Sequence, residues 1–132
     1  MAECLAIGDS IAVGVGEATG CTIAAQVGRT TAQQAALIRP LNAEWVVISL
    51  GSNDPRSPNL MQNLLFVRAN IIAKKVVWLL PYDIGAADVV RKVAAQHRDG
   101  FLALLNNFST KDGVHPANYR TVSSFIMQNW RS

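Results

Sequence analysis

Two histidines, an early serine in "GDS" (Gly8-Asp9-Ser10) and a late "KDGVHP" (111–116) are the parts from which nucleophilic chemistry could be built here. A serine hydroxyl is inert near neutral pH unless a base takes its proton during attack. His115 lies in a turn-forming stretch with Asp112 three residues before it. Such a turn can bring the carboxylate to the imidazole Nδ1–H and leave Nε2 free to face a serine. His97, in "AAQHRDG", falls near the end of a helical pattern on its polar side and reads as a solvated surface histidine. Acyl transfer also needs donors for a tetrahedral oxyanion, each worth roughly 10²–10³ in rate. Asn53, in "GSND" (51–54), offers a side-chain amide. The backbone N–H groups of Gly28 and Ser10 offer two more, since glycine lets a backbone approach a ligand closely. Singly, each fragment is ordinary: Asp-x-x-His is a weak motif, and Gly-Ser-Asn-Asp is simply a good turn sequence.

A phosphate-binding loop is the competing reading of the glycine-rich start. Gly14-Val15-Gly16-Glu17-Ala18-Thr19-Gly20 spells GxGxxxG, one residue longer than the dinucleotide fingerprint. The fingerprint should follow its strand directly and open a helix, but Gly8 to Val13 intervene and the next expected element is a strand. No acidic residue ends that strand to hold a ribose, and no lysine follows any of these glycines to make a Walker loop. Gly14, Gly16 and Gly20 read instead as keeping a loop close and uncrowded beside a cleft.

The elements that must position these residues alternate. Short apolar runs predict strands over 3–8, 22–28, 44–51, 75–81 and 100–105, and the third and fourth are rich in β-branched and aromatic residues. Unbroken apolar runs suit strands covered on both faces, as in a parallel sheet. Helical spacing predicts helices over 30–39, 58–73, 86–98 and 116–130. The last would carry Tyr119, Val122, Phe125, Ile126 and Trp130 on one face. This order predicts one three-layer α/β domain over 1–132 with a mainly parallel, five-stranded sheet. Trp45 and Trp78, within strands, read as core anchors. In such sheets ligands bind where the loops leave the carboxyl ends of the strands. "GDS", "GRT", "GSND" and "KDGVHP" all follow strands and should meet there.

Gly8-Asp9-Ser10, Gly28, Gly51-Ser52-Asn53-Asp54 and Asp112-Gly113-Val114-His115-Pro116, in that order, resemble the four blocks of the SGNH (GDSL-type) hydrolase family. The resemblance spans residues 8 to 116. It implies a flavodoxin-like fold, Ser10 as nucleophile, His115 as base and Asp112 orienting it. It also implies an oxyanion hole from Gly28, Asn53 and the Ser10 amide. Two positions depart from the pattern: Ile11 stands where leucine is commoner, and Arg29 where a small residue often follows the glycine. Arg29 could narrow the cleft, attract an anionic group, or simply be solvated. Asp9, Asp54 and Asp83 are further candidates for lining the cleft; Asp54 could instead orient its loop, and Asp83 could cap the following helix. Trimmed loops suggest an open, shallow site, which favours a small acyl group, such as acetyl, on a carbohydrate. A thioesterase or lysophospholipase on the same scaffold is the alternative, as is a catalytically idle module that binds a glycan or partner.

Composition narrows the remaining classes. Half the residues are hydrophobic and 16% are charged, a globular balance. A net charge of +3 with scattered Lys and Arg is too dilute for a nucleic-acid face. Cys4 and Cys21 lack metal-ligand spacing and read as two reduced, buried thiols in preference to a disulfide, and neither a metal nor a cofactor is expected. No apolar stretch approaches the ~20 residues that span a bilayer. Met-Ala-Glu-Cys does not read as a signal peptide. The chain is therefore expected to be soluble, in the cytoplasm or delivered without a cleavable signal. Its oligomeric state is left open.

Overall fold

The computed structural model describes residues 2–130. Five strands form one sheet: β1 (Ala2–Gly8), β2 (Thr22–Ala25), β3 (Leu41–Ser49), β4 (Ile71–Leu80) and β5 (Gly100–Ala103). Their order is β2-β1-β3-β4-β5, and every neighbouring pair is parallel. The helices are α1 (Ser10–Thr19), α2 (Thr31–Leu37), α3 (Leu60–Ala69), α4 (Ile84–Gln96), the short α5 (Leu104–Asn107) and α6 (Tyr119–Trp130). This strand order is that of flavodoxin-like doubly wound sheets, as expected from the sequence.

Successive residues of a strand point to opposite faces, and here both faces are covered. Val46 and Ile48 join Trp78 and Leu80 in a core with Leu64 and Val67 of α3 and Val90 and Val93 of α4. Trp45 and Val47 face the other way, with Val77 and Leu79, toward Ile11 and Val15 of α1 and Val122 and Ile126 of α6. Two-sided burial is why the strand sequences show no polar alternation. Both tryptophans are buried, as expected. Trp78 Nε1–H donates to Asp99 Oδ2 (2.9 Å), and Arg68 closes on the same carboxylate at 2.8 and 3.1 Å, tying α3 and β4 to the turn before β5. The Trp130 side chain lies outside the described residues.

Several boundaries differ from expectation, each for a local reason. Residues 10–19 are not a loop but α1. Asp9 caps it by accepting the Ile11 N–H, and Ile11, Ala12 and Val15 are wholly buried beneath it, so capping and burial outweigh two interior glycines. The helix expected over 58–73 stops at Ala69, because Ile71 and Ile72 pair with Leu41 and Asn42 and so lengthen β4 and β3 at their starts. β2 ends at Ala25, residues 104–107 coil into α5, and α6 begins at Tyr119, where Asn118 Oδ1 accepts the Arg120 and Thr121 N–H groups.

The cysteines are also a correction: Cys4 and Cys21 are joined in a disulfide, with Cα atoms 4.9 Å apart. The β1–α1–β2 crossover returns the chain beside its starting strand, in a register pairing Leu5 with Thr22, and that sets the preceding residues side by side. Sequence spacing alone carries no sign of that register. A crosslink closing a loop of this size is worth about 3 kcal/mol in chain entropy. Replacing both cysteines by serine should lower the unfolding free energy by about 2–4 kcal/mol in a urea titration and steepen the slope, because the uncrosslinked unfolded chain exposes more surface.

Candidate active site

The first three strands deliver three of the expected loops to one edge. Gly8 ends β1 at φ 133°, and any Cβ there would run into the backbone carbonyl of Ser49 on β3. Asp9 N–H in turn donates to that carbonyl (3.0 Å), which fixes the turn from strand into helix. Ser10 thus opens α1. The N–H groups of a helix's first turn lack intrahelical acceptors; Asp9 Oδ1 takes that of Ile11, and the Ser10 N–H remains a donor at the helix mouth.

Ser10 Oγ lies 2.7 Å from His115 Nε2, a contact between residues 105 apart in sequence. His115 Nδ1–H donates to Asp112 Oδ2, also at 2.7 Å. The other carboxylate oxygen, Oδ1, accepts the backbone N–H groups of Val114 (2.9 Å) and His115 (2.7 Å). Those bonds, the His115 backbone and side chain foremost, hold the Asp112 carboxyl well below the usual carboxylate range. It therefore stays ionised at any pH where an imidazole titrates. The Asp112 side chain is 55% exposed and that of His115 39% exposed, so the relay opens directly to solvent.

A residue that spacing did not reveal braces this loop. Thr110 Oγ1 accepts the Gly113 N–H (3.0 Å) and donates to the His115 carbonyl (2.6 Å), while Thr110 and Pro116 form an antiparallel bridge. Ser49 is a second such residue, its hydroxyl donating to the buried Asp9 Oδ1 at 2.9 Å. A serine ending the apolar run "VVIS" was the one available signal.

Gly28 has a φ of 82° in the exposed loop after β2. Asn53, in the loop after β3, donates from Nδ2 to the carbonyl of Arg29, next to Gly28 (3.0 Å). One amide N–H thus holds the two loops together, and an amide has a second to offer. Asp54 braces the same junction: its carboxylate accepts both the N–H and the hydroxyl of Thr31 at 3.0 Å, at the start of α2. It acts as the loop-orienting group that the sequence allowed.

Three remaining candidates are held by contacts within the fold. Asp9 is wholly buried, which corrects its reading as a substrate-facing residue; it caps α1 and receives Ser49 instead. Asp83 caps α4, accepting the Ala86 N–H at 2.9 Å, and pairs with Arg56 at 2.8 Å; the capping alternative is the one realised. Arg29 folds back onto the Ala24 carbonyl and the Gln34 and Gln26 side-chain oxygens, beside a hollow of about 390 Å³ lined by Gln26, Gly28 and Gln33. His97 is exposed at the end of α4. Among the described residues, no cluster of three or more His, Cys, Asp or Glu is placed to hold a metal ion, and no helix is long and apolar enough to cross a membrane.

The fold is shared with solved hydrolases. A lipase/acylhydrolase from Enterococcus faecalis is 20% identical over 99% of this chain and 96% of its own, with a TM-score of 0.73. A carbohydrate acetylesterase family member from Sinorhizobium meliloti is 17% identical over 97% and 96%, with a TM-score of 0.60. A lipolytic G-D-S-L family protein from Veillonella parvula is 15% identical over 97% of both chains, with a TM-score of 0.59. No family model and no curated protein matches the chain. At these identities the likeness establishes the fold: a flavodoxin-like α/β sandwich of the kind these acylhydrolases possess.

Burial, partly offset by the hydrogen bonds from Ser49 and Ile11, raises the Asp9 carboxyl from 3.8 to about 6. The folded state therefore keeps a proton between pH 4 and 6 that the unfolded chain has released, and stability falls as pH rises through that window. Asp9→Asn retains the acceptor oxygen without the charge. Between pH 4 and 7 the variant should gain about 2–3 kcal/mol on the wild type in urea titrations.

Proposed function

We propose that this chain is an SGNH-type serine esterase that works through an acyl-enzyme. The observation that carries the reading is the unbroken line Ser10 Oγ, His115 Nε2, His115 Nδ1, Asp112 Oδ2, with both hydrogen bonds at 2.7 Å. Ser10 Oγ attacks the acyl carbonyl carbon as its proton passes to His115 Nε2. The ionised Asp112 holds the imidazole by Nδ1–H and stabilises the imidazolium. The Ser10 and Gly28 N–H groups and the free N–H of Asn53 receive the oxyanion. His115 returns the proton to the departing alcohol oxygen, leaving acyl-Ser10. A water that gives its proton to the same nitrogen then attacks, and the carboxylic acid and free serine are restored.

A small O-acyl ester, most simply an acetyl ester on a carbohydrate, is the substrate class this site favours. The solvent-open relay supports it, since such a site suits a small acyl group on a bulky scaffold. Carbohydrate acetylesterases are also among the proteins that share the fold. The Cys4–Cys21 crosslink supports work in an oxidising compartment rather than the cytoplasm.

Ser10→Ala should reduce hydrolysis of p-nitrophenyl acetate by about 10³-fold or more while the melting temperature is kept. Persistent turnover in that variant would refute the nucleophile. Among short acyl esters, acetylated oligosaccharides and long acyl thioesters, the first two should be turned over fastest. A preference for the long thioesters would move the assignment to a thioesterase.

A further inference from the structure

Nothing covalent near the site fixes how far Ser10 stands from His115, because one rides on α1 and the other on the loop before α6. These helices pack against each other on one face of the sheet. One close juncture lies at Gly14 and Tyr119. A Cβ built on Gly14 would fall 2.5, 2.6 and 2.7 Å from Cε1, Cζ and Cδ1 of the Tyr119 ring, so the ring lies directly on the backbone of α1. Gly14 follows Ser10 by four residues, one helical turn along the same face. Tyr119 follows His115 by four residues as well. The catalytic contact and the ring contact are therefore successive rungs between the same two segments.

The segment between His115 and Tyr119 is stiff. Pro116 is buried and paired with Thr110, Ala117 N–H donates to the Ser109 carbonyl (2.9 Å), and Asn118 caps α6. Tyr119 itself is packed against the apolar cluster beneath α1 and α6, which limits how far its ring can swing aside. A push on the ring should therefore reach His115.

We propose that Gly14 and Tyr119 form a spacer that sets the Ser10 Oγ–His115 Nε2 distance, making both positioning residues for the acyl transfer; this rests on the esterase reading above. Alanine at 14 is the sharp probe, since it favours the helix more than glycine does and adds only a methyl group against the ring. Gly14→Ala should lower kcat for p-nitrophenyl acetate by about 10–100-fold, with KM within about twofold and the fold retained, the gain in helix propensity offsetting part of the overpacking. Tyr119→Phe, which keeps the ring, should stay close to the wild-type rate. In the double variant Gly14→Ala/Tyr119→Ala the added methyl has no ring to strike, so its rate should equal that of Tyr119→Ala alone.

A crystal structure of Gly14→Ala supplies the readout that does not depend on turnover. Its Oγ–Nε2 separation should exceed about 3.5 Å, too long for a hydrogen bond. An unchanged separation would overturn the spacer, whatever the rates, as would equal kcat losses from Gly14→Ala with and without the ring. A wild type that lacks Ser10-dependent hydrolysis would overturn the esterase reading instead, and the crystallographic distance would still decide the spacer.

Discussion

All five strands run the same way, and much of the rest follows from that constraint. A parallel sheet ends every strand at one edge and needs a crossover to begin the next. Covering both faces leaves the crossovers nowhere to be but α1–α4, and the polar loops nowhere to gather but that edge. Ser10, Gly28 and Asn53 come from three different strands yet share one rim because β2, β1 and β3 are neighbours. His115 is the exception. It belongs to the long excursion after β5, and α6, packed against α1, is what carries that excursion back to the serine.

The rim is rigid because its backbone polar groups are held by side chains. Asp9 caps α1, Asn118 caps α6, Asp54 clamps the start of α2, and Thr110 ties the turn that carries His115. Each joins a loop to the element it precedes or faces, so in the proposed esterase Ser10, His115 and Asn53 would need little ordering on substrate arrival. Asp9 is the unfavourable member: burying its charge opposes folding above about pH 6. That burden sits beside Ser10, a common place for a fold to carry strain or an awkward charge.

Parts of this arrangement were legible in the sequence because the residues involved are scarce. His115 stood in a turn with a carboxylate three residues before it, whereas His97 fell on the polar side of a helical pattern, and "GDS", Gly28 and "GSND" followed apolar runs with groups suited to acyl chemistry. The interiors of β3 and β4 announced themselves as unbroken apolar runs. What was not legible depended on partners distant in sequence. Glycines in 14–20 signalled a loop, and the Asp9 cap with burial of Ile11, Ala12 and Val15 against the sheet makes that stretch helical. The disulfide depends on the register of β1 with β2, which no local pattern encodes. Asp9 looked like a polar rim residue because neither the Ser49 hydroxyl nor the depth of the turn is visible from its neighbours. The Arg68–Asp99–Trp78 cluster was missed for the same reason, its members lying on three separate elements.

If His115 and Asp112 activate Ser10 in the folded protein, that serine should react as a nucleophile even without its substrate. Reaction with a fluorophosphonate, followed by intact-mass and peptide mass spectrometry, tests it most directly, because the reagent needs an activated serine but no knowledge of the substrate. A single adduct is expected, on Ser10, formed by the native protein and lost after unfolding or in His115→Ala. Native protein that stays unlabelled, or carries its adduct on another residue, would contradict it.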